Sequence, residues 1–381
     1  MRALYVSPID VTVNNGMRQR QAQTMAVLAD LYPGQCDVLS LGSSPGAMRR
    51  WLAGAGVKCH VVDGVWAWIA FANATAWYGG GVVLCNKLRL TRHFRFPIRT
   101  PLPLAWFQRY ATIVCYYPWA YHLLCLNRGG RRVVVDLGDV MGERHCRIGK
   151  RRWISLASDD ERAILHSDSR GVAISESDAV EFARLYGRDL PVLPFCPPNA
   201  ERLVELGDVA RPRRVGYLAA PSYLNEAIIE LLASSAFLEP LRAAGIELVV
   251  AGGICATADP RHLAAMRTGG ARVLGPVQDI EGFYREVAVV LNPVGPSTGI
   301  KIKSVEALLA GCGLITTRWG IDATLQRLFS NQIRLLDWPT TPTAVAQATV
   351  DLVALTARPE SGSAARYLEQ ARAAMRAALS P

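Results

Sequence analysis

The sequence lacks the signals of several common protein classes. It has no uninterrupted apolar run of about 18 residues, so we expect no membrane-spanning helix. Its nine cysteines include no Cys-x-x-Cys pair, which argues against a metal site or a disulfide scaffold and favours a reducing cytoplasmic compartment. The first residues are too polar after one short strand to be a signal peptide. No Gly-x-Gly-x-x-Gly motif follows that strand, so dinucleotide binding has little support.

Charge is present but unbalanced, with a net charge of +10 and a sequence pI near 9.3. Half of the 381 residues are hydrophobic and only 19% are charged, so the chain can bury large cores, and its length suits two domains. The basic excess favours nucleic acid, anionic lipid or a phosphorylated small molecule as partner. Because zinc-finger, RNA-binding and helix-turn-helix patterns are missing, nucleic acid is the weakest of the three.

The residues most typical of a ligand-binding site are concentrated between Asn292 and Gly313. An apolar strand precedes a Pro/Gly/Ser/Thr loop, which leads into a predicted helix and then a second apolar strand. Lys301 and Lys303 stand at the helix start, where free N–H groups and the helix dipole favour phosphate. Glu306, further along, can accept hydrogen bonds from sugar hydroxyls. The alternative is that Lys303 and Glu306 form a solvated pair on an amphipathic helix.

Strands alternate with helices along the whole chain, which predicts an α/β fold with parallel sheets. We expect two Rossmann-like, doubly wound domains that face each other across a cleft. The N-terminal domain is predicted over residues 1–200 and the C-terminal domain over 210–360. A final helix over 361–381 is expected to pack back toward the N-terminal domain.

One stretch of the first half, from Val65 to Tyr110, combines aromatic and basic residues. An aromatic surface beside Lys and Arg is typical of proteins that rest on an anionic membrane. A core helix followed by a basic surface loop explains the pattern about as well.

Charged residues in the first half mark a second candidate region. Asp136 and Asp139 follow a predicted strand, at the edge where α/β sheets place ligands. Asp139 is the candidate general base, with His145 and His122 as alternatives, although a lone histidine is more often structural. Arg20, near the first loop, either faces a ligand or is solvated, and solvation is the more common outcome.

Several segments together make the chain similar to the GT-B glycosyltransferases of the family 4 group, particularly bacterial exopolysaccharide and lipopolysaccharide sugar transferases. The most specific block is Ser297–Gly311, with its Thr-Gly-Ile-Lys-x-Lys-x-x-Glu-Ala-Leu pattern. Weaker matches are Val215–Asn225, Val249–Gly253, Gly275–Asp279 with Tyr284, Gly16 with Arg20, and Asp136–Arg144.

The resemblance implies transfer of a sugar from a nucleoside-diphosphate-sugar to an acceptor hydroxyl, with retention and without a metal or other cofactor. It further implies a lipid-linked glycan as acceptor, in surface polysaccharide assembly at the inner face of the plasma membrane. Two alternatives remain: a nucleotide-sugar 2-epimerase on the same fold, and a non-catalytic GT-B-like binding protein.

The resemblance also implies a set of site residues. The implied donor-binding residues are Gly16, Tyr223, Asn225, Gly253, Val277, Thr298, Gly299, Lys301, Ile302, Lys303 and Glu306. The implied acceptor-side residues are Arg20, Asp136, Arg144 and His145. The chain departs from the family at two points. Thr298 replaces an acid that faces the transferred sugar, and Ser222 and Tyr223 stand where a basic residue is usual, so we assign phosphate neutralisation to Lys301 or Lys303.

Overall fold

The computed structural model describes residues 2–8, 10–11, 16–76, 104–118, 121, 132–142, 158–207, 209–297, 299–355 and 362–380. These residues form two compact units, one of residues 1–198 with 371–381 and one of residues 199–370. Each unit is built on a parallel sheet with its own buried core. The predicted α/β fold with two Rossmann-like, doubly wound units is confirmed.

The strands of the first unit pair in the order β3-β2-β1-β4-β5-β6, all in parallel. They are β1 (Arg2–Ser7), β2 (Cys36–Ser40), β3 (His60–Val61), β4 (Tyr110–Tyr116), β5 (Arg132–Asp136) and β6 (Arg170–Val172). The central strands are apolar on both faces because helices cover both sides of a doubly wound sheet.

The helices of the first unit follow its strands in turn. They are α1 (Gly16–Leu31), α2 (Pro45–Gly54), α3 (Val65–Thr75), α4 (Leu104–Phe107), α5 (Ser158–Leu165) and α6 (Glu176–Tyr186). Ser175 caps α6 by accepting from the Asp178 N–H, and Gly187 ends it in the left-handed conformation.

The second unit repeats the strand order, as β12-β11-β10-β7-β8-β9. Its strands are β7 (Arg214–Leu218), β8 (Glu247–Ala251), β9 (Arg272–Gly275), β10 (Val289–Asn292), β11 (Gly313–Thr317) and β12 (Ile333–Leu336). In both sheets the order in which successive strands are added changes direction beside the first strand of the unit. The change lies between β1 and β4 in the first sheet and between β7 and β10 in the second. Doubly wound folds bind ligands at the carboxyl ends of strands at such a switch point.

The helices of the second unit begin with a short one that follows the first unit directly. They are α7 (Ala200–Val204), α8 (Tyr223–Leu232), α9 (Ser235–Ala243), α10 (Pro260–Thr268), α11 (Ile280–Glu286), α12 (Ile302–Leu309), α13 (Ala323–Leu328) and α14 (Pro342–Leu355). Short 3₁₀ turns lie at Gly253–Ala256 and Ser330–Gln332. The last helix, α15 (Ser363–Leu379), contacts the first unit's core near its end, where Gln23 bonds to Met375.

The segment after the β7 loop forms two helices, α8 and α9, and Ser234 is the N-cap residue of α9. The core-helix alternative for the aromatic stretch fails in α3, where Trp66 and Trp68 are 40% and 49% exposed. In the part of the chain that the structure describes, no helix is long and apolar enough to cross a bilayer.

Candidate functional site

The loop between β10 and α12 lies at the carboxyl edge of the second sheet, beside the switch point. Lys301 takes the N-cap position of α12, and its side chain makes no capping hydrogen bond. Neighbouring helices are capped: Ser222 accepts from the Asn225 N–H at α8, and Asp279 accepts from the Gly282 N–H at α11. An uncapped helix start leaves backbone N–H groups that an anion can satisfy.

Lys303 turns back from the first turn of α12 over strand β7. Its Nζ lies 4.7 Å from the centre of the Tyr217 ring and is buried, although part of the residue is exposed. Among the described residues, this nitrogen has no hydrogen-bond acceptor and no carboxylate partner. Burial, with a smaller contribution from the charge of Lys301, lowers the pKa of Lys303 to about 7. The solvated Lys303–Glu306 pair considered from the sequence is therefore wrong.

Glu306 is buried one turn later, at 4% exposure. Its Oε2 accepts a 2.9 Å hydrogen bond from the hydroxyl of Tyr284, which α11 contributes. Burial raises the pKa of Glu306 to about 7, and the bond from Tyr284 opposes that shift. The pKa values of Lys303 and Glu306 thus both lie near 7, so each side chain is close to losing its charge at neutral pH.

A polar network fixes the loop that precedes α12. The Asn292 side chain donates to Ser304 Oγ at 2.8 Å, and Ser304 donates to the Gly320 carbonyl at 2.7 Å. A Cβ on Gly320 would lie 2.0 Å from Thr316 Oγ1, so only glycine fits. The buried Asn292 Oδ1 and Ser297 Oγ have no partner among the described residues. The loop is held rigidly while some of its polar atoms stay available.

The loops after β7 and β8 pack together beside this region. Asn225 ties the β7 loop down by donating to the Ala220 carbonyl at 2.7 Å and accepting from Tyr217 Oη at 3.1 Å. A Cβ on Gly253 would lie 3.0 Å from the Pro221 ring, a tight contact that glycine avoids. Tyr217 therefore joins two predicted donor residues, Asn225 and Lys303.

The other predicted donor residues have simpler surroundings. Gly299 adopts a left-handed φ of 72°, and its carbonyl accepts from Lys301 Nζ at 2.8 Å. Ile302 is the first residue of α12, and Tyr223 is the first residue of α8. Val277 is half-buried between β9 and α11. Thr298 lies outside the described residues.

In the first unit, two predicted acceptor-side residues bind each other. Arg20 Nε lies 2.9 Å from Asp136 Oδ2, and both side chains are buried, at 1% and 0% exposure. Arg20 Nη1 also donates to the Pro194 carbonyl and to Gln23. The expectation that Arg20 is solvated is therefore wrong. Its guanidinium is buried in an ion pair with Asp136, which lies 116 positions away in the sequence.

Asp139 lies just past β5 and is buried at 8% exposure. Beside it, Glu161 accepts hydrogen bonds from the Met141 and Gly142 N–H groups and from Tyr186 Oη. Burial raises the pKa of Glu161, these bonds oppose the rise, and the charge of Asp139 adds to it. Glu161 thus fixes the segment that carries Asp139.

The remaining predicted site residues lie either at the start of a helix or outside the described residues. Gly16 is the first residue of α1. Arg144, His145 and His122 lie outside the described residues. Among the residues that the structure does describe, no group of three His, Cys, Asp or Glu side chains is arranged to hold a metal ion.

Comparison with protein families decides the class of the second unit. Residues 211–354 match the family described as "Glycosyl transferases group 1". The match to this glycosyltransferase family covers most of the second unit. The match contains β7 through β12 and α12 with its lysines. The chain is therefore a glycosyltransferase enzyme, and its assignment to family 4 within that class stays a prediction.

Solved structures resemble the whole chain. HepE from Anabaena, solved with UDP and glucose, is 13% identical, with a TM-score of 0.55 over 100% of this chain and 95% of that one. WaaG, a glycosyltransferase involved in lipopolysaccharide biosynthesis, is 13% identical, with a TM-score of 0.54 over 98% and 94%. Sucrose-phosphate synthase from Thermosynechococcus elongatus is 14% identical, with a TM-score of 0.55 over 100% and 95%.

At such low identities the likeness establishes the fold, which is the GT-B fold of this glycosyltransferase. A comparison with curated protein sequences gives no match.

Sequence reasoning missed several residues of the site. The sequence pattern places Tyr217 in a strand, and its contact with Lys303 arises only from tertiary packing. Tyr284 belongs to one of the weaker family matches, and in the structure its hydroxyl donates to Glu306. Asn292 and Ser304 lie within the segment from Asn292 to Gly313, but nothing in the sequence assigns either of them a separate role. A polar residue that ends an otherwise apolar strand, as Asn292 does, is the signal that was available.

Proposed function

We propose that this glycosyltransferase uses a nucleoside-diphosphate-sugar donor, whose diphosphate is bound at the start of α12. The buried and unpartnered ammonium of Lys303 carries this proposal. An ammonium in such a position costs free energy unless an anion accompanies it. A diphosphate supplies that anion, and the uncapped N–H groups at the same helix start add donors.

Glu306 is proposed to bind the ribose of the donor. One carboxylate oxygen is occupied by Tyr284, and the other is the proposed acceptor for a sugar hydroxyl. Lys301, Gly299 and Ile302 complete the proposed phosphate side.

Bond cleavage at the anomeric carbon leaves negative charge on the departing diphosphate. Lys303, Lys301 and the helix N–H groups are proposed to stabilise that charge without a metal ion. Fixed donors that face developing charge commonly contribute the largest catalytic effect. We further propose transfer with retention of configuration.

The first unit is proposed to bind the acceptor, with Asp139 as the general base that receives the proton of its hydroxyl. Burial of Asp139 and its support by the Glu161 segment favour a fixed position for such a base. The acceptor is proposed to be a lipid-linked glycan, at the cytoplasmic face of a membrane and in surface polysaccharide synthesis.

A ligand screen followed by a product assay tests the donor. Purified protein is mixed with common nucleotide-sugars, and melting temperature is measured. A ligand at about a hundred times its dissociation constant stabilises the protein by about 2.7 kcal/mol. The nucleotide-sugar that stabilises is then incubated with and without a glycan acceptor. Transfer only with acceptor supports the proposal. A new epimeric nucleotide-sugar formed without acceptor, or binding without any turnover, contradicts it.

A further inference from the structure

Helix α3 has an unusual distribution of apolar side chains. The residues that α3 packs into the core of the first unit are alanines: Ala67, Ala70 and Ala74, each at most 2% exposed. The large apolar residues lie on the other side: Val65, Trp66, Trp68 and Ile69 are 36–66% exposed. A helix that only served the core would have the reverse pattern, since burying the larger side chains is more favourable.

Basic residues flank α3 in the sequence. Arg49 of α2 pairs with Asp63 directly before α3, and Arg50 beside it is exposed. From Gly64 to Val135 the sequence contains nine Lys or Arg residues and no Asp or Glu. Such charge segregation over 72 residues, in a chain with a net charge of +10, favours an anionic partner.

Apolar tryptophans and positive charge together fit one kind of surface better than others. Tryptophan prefers the interface between lipid headgroups and acyl chains. Each Lys or Arg near an anionic leaflet adds attraction that salt screens. A second copy of this chain would bring equal positive charges together, and would be opposed by repulsion.

We infer that the exposed face of α3, formed by Val65, Trp66, Trp68 and Ile69, inserts into the interface of an anionic lipid bilayer and docks the enzyme there. The inference does not depend on which donor or acceptor the enzyme uses. It rests on the inverted exposure of α3 and on the absence of acidic residues from Gly64 to Val135.

Vesicle binding by the full chain tests it. Phosphatidylcholine vesicles with and without phosphatidylglycerol are sedimented with wild type, with W66S/W68S, and with V180S/L355S. The last variant is the matched control, because Val180 and Leu355 are apolar and 68% and 60% exposed outside α3. Wild type is expected to bind anionic vesicles at least tenfold more tightly than neutral ones. W66S/W68S is expected to lose at least tenfold in affinity with an unchanged melting temperature, and the control less than twofold.

A second readout does not depend on removing apolar surface. Brominated lipids quench tryptophans that enter the bilayer, so quenching is expected in wild type and lost in W66F/W68F, which keeps the ring character. The inference is overturned if wild type does not bind anionic vesicles or if W66S/W68S binds them like wild type. It is also overturned if W66F/W68F is quenched as strongly as wild type. A dimer in solution that W66S/W68S converts to a monomer also overturns it.

Discussion

The two units share a strand order but treat their buried charges in opposite ways. In the first unit, Arg20 and Asp136 neutralise each other at 2.9 Å, and Glu161 receives three hydrogen bonds. In the part of the second unit that the structure describes, Lys303 has no oppositely charged partner and Glu306 bonds to a neutral phenol. The same fold therefore holds a buried ion pair in one unit and, in the other, a buried cation with no charged partner among the described residues.

The largest expected effect comes from breaking the pair in the first unit. Arg20→Met leaves Asp136 charged, buried and unpaired, which we expect to cost about 3–5 kcal/mol of unfolding free energy. Chemical denaturation measures it. The double variant Arg20→Met with Asp136→Leu is expected to recover at least half of the loss, because neither charge remains. A loss below about 1 kcal/mol in the single variant would mean that the pair is not buried as described.

Lys303→Met sharpens the contrast, because it should reduce activity without reducing stability. Removing one fixed donor for developing charge costs about 10²–10³ in turnover. Stability is expected to stay the same or rise, since the variant no longer buries an unpartnered ammonium. Initial rates and denaturation curves are both needed. Lys58→Met, at an exposed position, is the control and should change neither quantity. A stability loss like that of Arg20→Met would contradict the comparison.

The pH dependence of stability distinguishes the second unit further. The raised pKa of Glu306, about 7, means that the folded state holds the extra proton between about pH 4.5 and 7, so stability falls as pH rises there. The lowered pKa of Lys303, about 7, means that the unfolded state holds the extra proton between about pH 7 and 10.5, so stability rises with pH there. Each slope approaches at most about 1.4 kcal/mol per pH unit.

Difference curves between variants and wild type isolate these contributions. Lys303→Met should lack the rise above neutral pH, and Glu306→Gln should lack the fall below it. Wild-type curves that coincide in shape with both variants would refute the two shifts.

The smallest expected effect is at the ring under Lys303. Tyr217→Phe keeps the aromatic surface and removes the hydroxyl that donates to Asn225. A loss of about 0.5–1.5 kcal/mol in stability is expected for one hydrogen bond, with turnover changed less than about threefold. If turnover instead falls as far as in Lys303→Met, the hydroxyl has a direct role that the geometry does not suggest.

Much of the fold followed from local pattern. The strand Arg214–Leu218 and the helix Ile280–Glu286 can be predicted from the sequence, because apolar periodicity and turn residues mark them clearly. Strand β12 and helix α14 were missed, since α14 is apolar with little periodicity and β12 is short and half-exposed.

The candidate site followed only in part. The loop and helix at Lys301–Glu306 were identified because their residue types are concentrated there. The partners were not, because Tyr217 and Tyr284 are 86 and 22 positions from Lys303 and Glu306 in sequence. Arg20 and Asp136 illustrate the same limit: each was recognised as a charge near a strand end, but only tertiary packing makes them one pair.

Calorimetric titration tests the central claim most directly. The nucleoside diphosphate of the stabilising nucleotide-sugar is titrated into wild type, Lys303→Met and the Lys58→Met control at one ionic strength. We predict that Lys303→Met weakens the dissociation constant at least tenfold, about 1.4 kcal/mol, while the control binds like wild type. Equal dissociation constants for Lys303→Met and wild type would contradict the assignment of Lys303 to the diphosphate.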